Sequence, residues 1–224
     1  MQLASSHGVK AANGQLLSHP CGAALAVERF DRSPGGGRVF VQSLAAILND
    51  GFCLPKLDYE DLYKVSAHLS DAPESERIYR QACFNVALSM KNDHSKNFAF
   101  LMGADGRWTL SPAFDMCPSD GPGRRHTMSI AGVADHIGRN DLVRLAKKMD
   151  LPDFVVKDGI DQALAPANAF ASLAIDLGAQ KSVTKKWQKV FKEIEGRIVV
   201  PMIPVNPSTP TTKKVPKYKE GLAP

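Results

Sequence analysis

The sequence predicts a mainly α fold (α+β) that carries one small β-hairpin. Three observations lead there. Apolar residues recur at helical spacing from Asp58 through Leu62, Val65 and Leu69, and again from Glu74 to Met90. Two short stretches, Phe98–Met102 and Trp108–Leu110, flank the turn Ala104-Asp105-Gly106-Arg107 and read as a hairpin. After a Gly/Pro-rich loop at 118–123, the pattern is helical again to about Ile198.

Taken in order, residues 1–8 read as the end of a helix, followed by a turn around Asn13-Gly14. Ala23–Phe30 is a short apolar stretch ending in charge, which suits a strand. Ser33-Pro34-Gly35-Gly36-Gly37 is a loop by turn chemistry, and Arg38–Val41 suits a second short strand. In Glu74–Met90, the residues Tyr79, Ala82, Cys83, Val86, Ala87 and Met90 form one stripe and predict a buried amphipathic helix. Lys91–Asn97 is a polar loop. No internal repeat is visible.

Composition narrows the class. The 224 residues are 44% hydrophobic and 23% charged, close to the globular average, which excludes wholesale disorder and coiled coil. No run approaches the roughly 18 consecutive apolar residues of a membrane span, and no signal peptide opens the chain. A cytoplasmic protein with no membrane partner is expected. Cys21, Cys53, Cys83 and Cys117 are scattered without a CxxC pair, so reduced thiols are expected rather than a zinc site or a disulfide framework. The formal charge is +5, but from Pro201 onward four lysines face Glu220 alone. The basic balance therefore mostly reports the C-terminal tail, and direct nucleic-acid binding is not expected. That tail, residues 199–224, is rich in Pro, Ser, Thr and Lys and lacks an apolar period; it reads as disordered.

The chemistry-bearing stretch is Asn92-Asp93-His94-Ser95-Lys96-Asn97, followed across the hairpin by Ala113-Phe114-Asp115-Met116. Two short antiparallel strands start and finish at one edge, so the hairpin should return Asp115 to the loop. Phosphoryl transfer needs this inventory: a loop residue to orient a hydroxyl, an amide and a carboxylate for Mg²⁺, and a cation for developing charge. A helix-capping Asn-Asp loop with solvated His and Lys, plus a capping Asp, would read the same way.

The residues also carry a resemblance. Phe84-Asn85-Val86, then Asn92 through Leu101, then Trp108-Thr109-Leu110-Ser111-Pro112-Ala113-Phe114-Asp115 resemble the HipA family, serine/threonine kinases that act as toxins in bacterial toxin–antitoxin pairs. Val27-Glu28-Arg29-Phe30-Asp31-Arg32 is similar to the family's hinge between lobes. The resemblance covers residues 1–198 and implies the helical C-terminal lobe of a protein-kinase-like domain, with 1–32 as its hinge-like start and 91–116 as catalytic loop and metal-binding hairpin. It implies ATP and Mg²⁺ as cofactors and a protein substrate. By the same resemblance, Glu28, Arg29 and Phe30 would line the adenine edge. His94, Ser95, Lys96 and Asn97 would form the phosphate and metal side, and Phe114 and Asp115 would stand where Mg²⁺ is held. Asp115 and Asn97 would be the metal ligands.

Two departures qualify this. The family's proton-accepting Asp falls at Asn92, and the Asn two residues before it falls at Met90. An amide has no useful basicity near neutral pH, so Asn92 cannot be a general base. A one-residue shift would put Asp93 into that role. Second, only about 25 residues precede Glu28, and none supplies a glycine-rich phosphate loop or a strand lysine; Gly35-Gly36-Gly37 follows the hinge and is read as a flexible turn. The expectation is a weak or inactive kinase lobe. The alternative is a non-catalytic remnant or split-kinase module that binds a HipB-type DNA-binding antitoxin or a separate N-terminal lobe. His68, His126 and His136 read as surface or capping residues, Arg124-Arg125 as a solvated basic turn, and Trp187 with Lys185, Lys186, Lys189 and Lys192 as a solvated helix face.

Overall fold

The structure is a computed structural model that describes residues 1–51, 57–70 and 74–199. Helix α1 (Gln2–Ser5) leads into an antiparallel hairpin of β1 (Gly14–His19) and β2 (Gly22–Val27). The turn expected at Asn13-Gly14 is displaced: Gly14 opens β1, and the reversal falls at Pro20-Cys21. Cross-strand pairing of Leu16 with Leu25 and of Leu17 with Ala24 extends Gln15–Leu17, which local turn chemistry alone does not reveal.

Strand β3 (Phe40–Ser43) lies two residues later than expected and runs straight into α2 (Leu44–Ile47), where Ser43 Oγ accepts from Ala46 N at 3.2 Å. Helix α3 (Tyr59–Leu69) begins in a capping box: Asp58 accepts from Glu60 N, and Asp61 accepts from Asp58 N at 2.8 Å. Helix α4 (Ser75–Ala87) precedes the polar loop. The expected hairpin forms as β4 (Ala99–Met102) and β5 (Trp108–Leu110), and β3 joins it to give a three-stranded sheet of order β3-β4-β5. Helices α5 (Arg139–Lys148), α6 (Asp153–Asp176) and α7 (Lys181–Val199) complete the chain. Helix α7 includes Val199, the first residue expected in the tail; the expectation for 200–224, like Cys53, lies outside the described residues.

Helix α4 is more deeply buried than an amphipathic stripe requires. From Ile78 to Met90 every residue except Arg80 is buried, because α3, α5, α6 and α7 all pack on this helix. One core cluster gathers Tyr59, Leu62, Ile78, Tyr79 and Phe100 with α5 and α6 residues. A second gathers Phe84, Leu88 and Met90 with Trp187 and Phe191. Trp187 is thus an inward-facing core residue, not part of an exposed basic face. Among the described residues, no helix is long and apolar enough to cross a membrane.

Candidate active site

The buried end of α4 sets the position of the polar loop. Ser89 takes φ +50°, and Met90 N donates to Asn85 O at 2.8 Å, so the chain reverses immediately after the helix. The adjacent residues Asn92 and Asp93 then face different environments. Asn92 is exposed, whereas the Asp93 side chain is 1% exposed. Asp93 Oδ2 accepts from Tyr59 OH at 2.9 Å and lies 2.8 Å from His126 Nδ1; Oδ1 accepts from Thr127 N at 2.8 Å. Asn85 Nδ2 in turn donates to Tyr59 OH at 2.8 Å. Burial, reinforced by the Asp93 charge, raises the Tyr59 pKa far above the ordinary phenol range, so this hydroxyl stays a donor. Every oxygen of Asp93 is committed, and the carboxylate ties the loop to α3 and to residues 126–128. His126, expected as a surface or capping residue, is a buried part of this anchor.

The remaining loop residues divide in the same way. Ser95 is buried and donates Oγ to Asp50 Oδ2 at 2.6 Å, which fixes the loop to the turn after α2. His94 precedes the 3₁₀ turn Ser95–Asn97, and its buried Nδ1 has no hydrogen-bond partner among the described residues. Lys96 is exposed on that turn. Asn97 points toward the hairpin: its Nδ2 donates to Asn92 O at 3.0 Å and to Asp115 Oδ2 at 3.0 Å. With two acceptors around the amide nitrogen, the network assigns the opposite side of the amide to Oδ1.

The backbone leading into Asp115 is held by hydrogen bonds. Ser111 N donates to Ala99 O, Ala113 N to Lys10 O and Ala12 N to Ala113 O, each at 2.8 Å, so the N-terminal segment braces the strand exit. Asp115 itself takes φ +53°, a left-handed conformation that Asp tolerates better than most residues. Asn92, Asp93, Asn97, Phe114 and Asp115 line one small cleft. Asn97 Oδ1 and the free Asp115 oxygen are hard oxygen donors, and the bond between their side chains holds them together. This set fits Mg²⁺, which takes one or two protein oxygens and fills its octahedron with water and phosphate. Among the described residues no group of three or more His, Cys, Asp or Glu converges as a metal site.

The hinge-like residues are only partly gathered at this site. Phe30 packs on Phe114 with ring centroids 5.4 Å apart. Glu28 instead accepts from Asn13 Nδ2 at 2.9 Å, and its own N–H donates to Asn13 O. Arg29 pairs with Asp31, whose carboxyl is driven down to about 2 chiefly by the Arg29 hydrogen bond. Sequence reasoning missed Tyr59, Asn85, His126 and Asp50 as supports. None has a local signature, since each meets its partner across 26 to 45 residues of chain.

Beside the cleft lies a larger groove of about 750 Å³, walled by Leu16, Leu25 and Val27 of the β1–β2 hairpin and by Phe170 and Leu173 of α6, with Phe114 and Asp115 also lining it.

The sequence model of the HipA-like C-terminal domain matches residues 1–187. A search of the curated proteins found no match. Among solved structures, the chain is similar to HipA of Shewanella oneidensis MR-1 in its complex with HipB and operator DNA. The TM-score is 0.70 at 19% identity, over 88% of this chain and 53% of that one. It is also similar to the Helicobacter pylori proinflammatory kinase CtkA, with a TM-score of 0.57 at 10% identity over 88% of this chain and 80% of that one. The chain thus spans about half the length of the HipA chain it matches.

Proposed function

This chain belongs to the HipA-like C-terminal domain family, and on that premise we propose that it is the large lobe of a serine/threonine-protein kinase of the toxin–antitoxin type. The observation that carries the reading is the 3.0 Å bond between Asn97 Nδ2 and Asp115 Oδ2, with Asn92 lining the same cleft. Asp115 and Asn97 would hold Mg²⁺, which when bound neutralises charge on the ATP phosphates. Phe30, packed at a tilt against Phe114, offers an apolar edge for the adenine. Asn92 can accept a hydrogen bond from a serine or threonine hydroxyl and so orient it, but it cannot take the proton. Asp93 acts by holding the loop in place.

The test is calorimetric titration of Mg-ATP into the purified chain and into Asp115→Ala. Binding in the millimolar range that Asp115→Ala abolishes is the expected result; no heat from the native chain at millimolar nucleotide overturns it. Asn92→Asp should then raise phosphotransfer by roughly 10²–10⁴-fold, the usual contribution of a general base.

A second reading has its own observation. Leu25 of β2 is 63% exposed and Leu16 of β1 46%, both facing the large groove. A two-stranded hairpin with a bare apolar face is marginal alone and suits a covering partner. In this reading the chain is a non-catalytic module that docks on a separate N-terminal lobe or a HipB-type antitoxin. Mg-ATP binding combined with an inert Asn92→Asp variant would favour it.

A further inference from the structure

The basic turn Arg124-Arg125 has no part in the proposed nucleotide site. It contributes to a second concave cleft of about 400 Å³ that shares no wall residue with the cleft of Asp115. Four cations line it: Lys91, Arg124, Arg125 and Arg197. Three carboxylates line it too, and one of them already has a cationic partner. Asp120 meets Lys186 Nζ at 2.7 Å, and Asp135 meets His136 Nδ1 at 2.9 Å. Among the described residues, Arg124 and Arg125 pair with no carboxylate. That leaves four cations facing Asp135 and Glu193.

This concentration of charge is built by the fold. Lys91 Nζ donates to Arg124 O at 2.9 Å, which draws the lysine charge in against the arginine turn. The turn closes on Lys91 so tightly that a Cβ at Gly121 would come within 2.6 Å of Lys91 Cβ, and Gly121 sits at φ +68°. Thr127 fastens the far end, donating Oγ1 to Lys91 O at 2.9 Å. The cations act on the cleft wall itself: the Asp120 carboxyl is lowered chiefly by its bond to Lys186, with Arg124 and Lys91 adding attraction.

We propose that this cleft binds a phosphate monoester dianion, gripped by Arg124 and Arg125 with Lys91 and Arg197 behind them. Guanidinium forks match phosphate oxygens bidentately, and a monoester carries close to two charges near neutral pH. A polyanion such as nucleic acid is a poorer fit, because Asp120, Asp135 and Glu193 would repel its further phosphates. The bound dianion would act on the neighbouring loop. The residues that follow Arg125 hold Asp93, through His126 Nδ1 and Thr127 N, so tying the turn down stiffens the catalytic loop. The binding claim itself does not depend on the kinase reading.

The experiment is an amide NMR titration of the full chain with inorganic phosphate, without nucleotide, repeated with a phosphoserine tripeptide and its unphosphorylated form. Saturable shifts confined to Gly121–Thr127 and Lys91 are expected, weakening with added salt. Arg124→Ala/Arg125→Ala should weaken binding at least tenfold, while Lys157→Ala, a charge change on an exposed face of α6, should not. Tighter binding of the phosphopeptide than of phosphate assigns the ligand to a phosphorylated protein segment; equal affinity assigns it to the free ion. Two results overturn the proposal: no saturable shift at tens of millimolar phosphate, or equal weakening by Lys157→Ala.

Discussion

Only 1% of the Asp93 side chain is exposed, and its oxygens are taken by Tyr59, His126 and Thr127. One residue earlier, Asn92 lies in the open cleft beside Asn97 and Asp115. Two side chains of almost equal shape therefore have opposite work, decided by which way the backbone turns them. A buried carboxylate serving several donors is costly to remove, since each donor left unpaired loses about 1–3 kcal/mol. Asp93→Ala is accordingly expected to lower the unfolding free energy by about 3 kcal/mol or more, measured by urea denaturation. Asn92→Ala, which strands no buried group, should change stability by less than about 0.5 kcal/mol. Equal effects at the two positions would mean that Asp93 is not the anchor described here.

Helix α4 shows how packing outranks periodicity at the level of elements. Its apolar stripe was legible, yet Gln81 and Asn85 on the flanks are buried as well, because α3 and three later helices enclose the helix. The approach of α6 depends on one residue. A Cβ at Gly159 would fall 2.9 Å from Tyr79 Cε1, and the Tyr79 ring is fully buried and cannot swing away. Alanine normally improves a helix by about 1 kcal/mol over glycine. Here overpacking, typically about 1–3 kcal/mol, should win, and Gly159→Ala is expected to reduce the thermal midpoint. A rise in the midpoint would show that α4 and α6 can separate at little cost. Because Asn85 and the polar loop hang from the C-terminal end of α4, such a shift is transmitted to the candidate site.

Across the whole molecule, helices α3–α7 bury one face after another, while the β1–β2 hairpin keeps Leu16, Leu17 and Leu25 near or above half exposure. Exposed apolar side chains grouped around a groove of about 750 Å³ are characteristic of a covered surface. Replacing Leu16 and Leu25 together by serine should therefore suppress binding of a hydrophobic reporter dye. The global unfolding free energy should move by under about 1 kcal/mol, because little apolar surface is buried there to begin with. A large loss of stability would instead mean that these leucines are part of the core.

The amino-acid sequence by itself determined the helical class, the β4–β5 hairpin and the return of Asp115 to the loop, because all three follow from short-range periodicity and turn chemistry. The order of loop and hairpin motifs was enough to point to the family. Only the tertiary structure decided which loop residues face the cleft. Tyr59 on Asp93, Asp50 on Ser95 and Asp115 on Asn97 lie 18 to 45 residues away, and no local pattern encodes a hydrogen bond across that distance. The same holds for β3, whose place in the sheet depends on β4, and for His126 and Trp187, whose burial depends on segments folded around them. Local sequence sets what each segment can form; packing sets which of its side chains are available to chemistry.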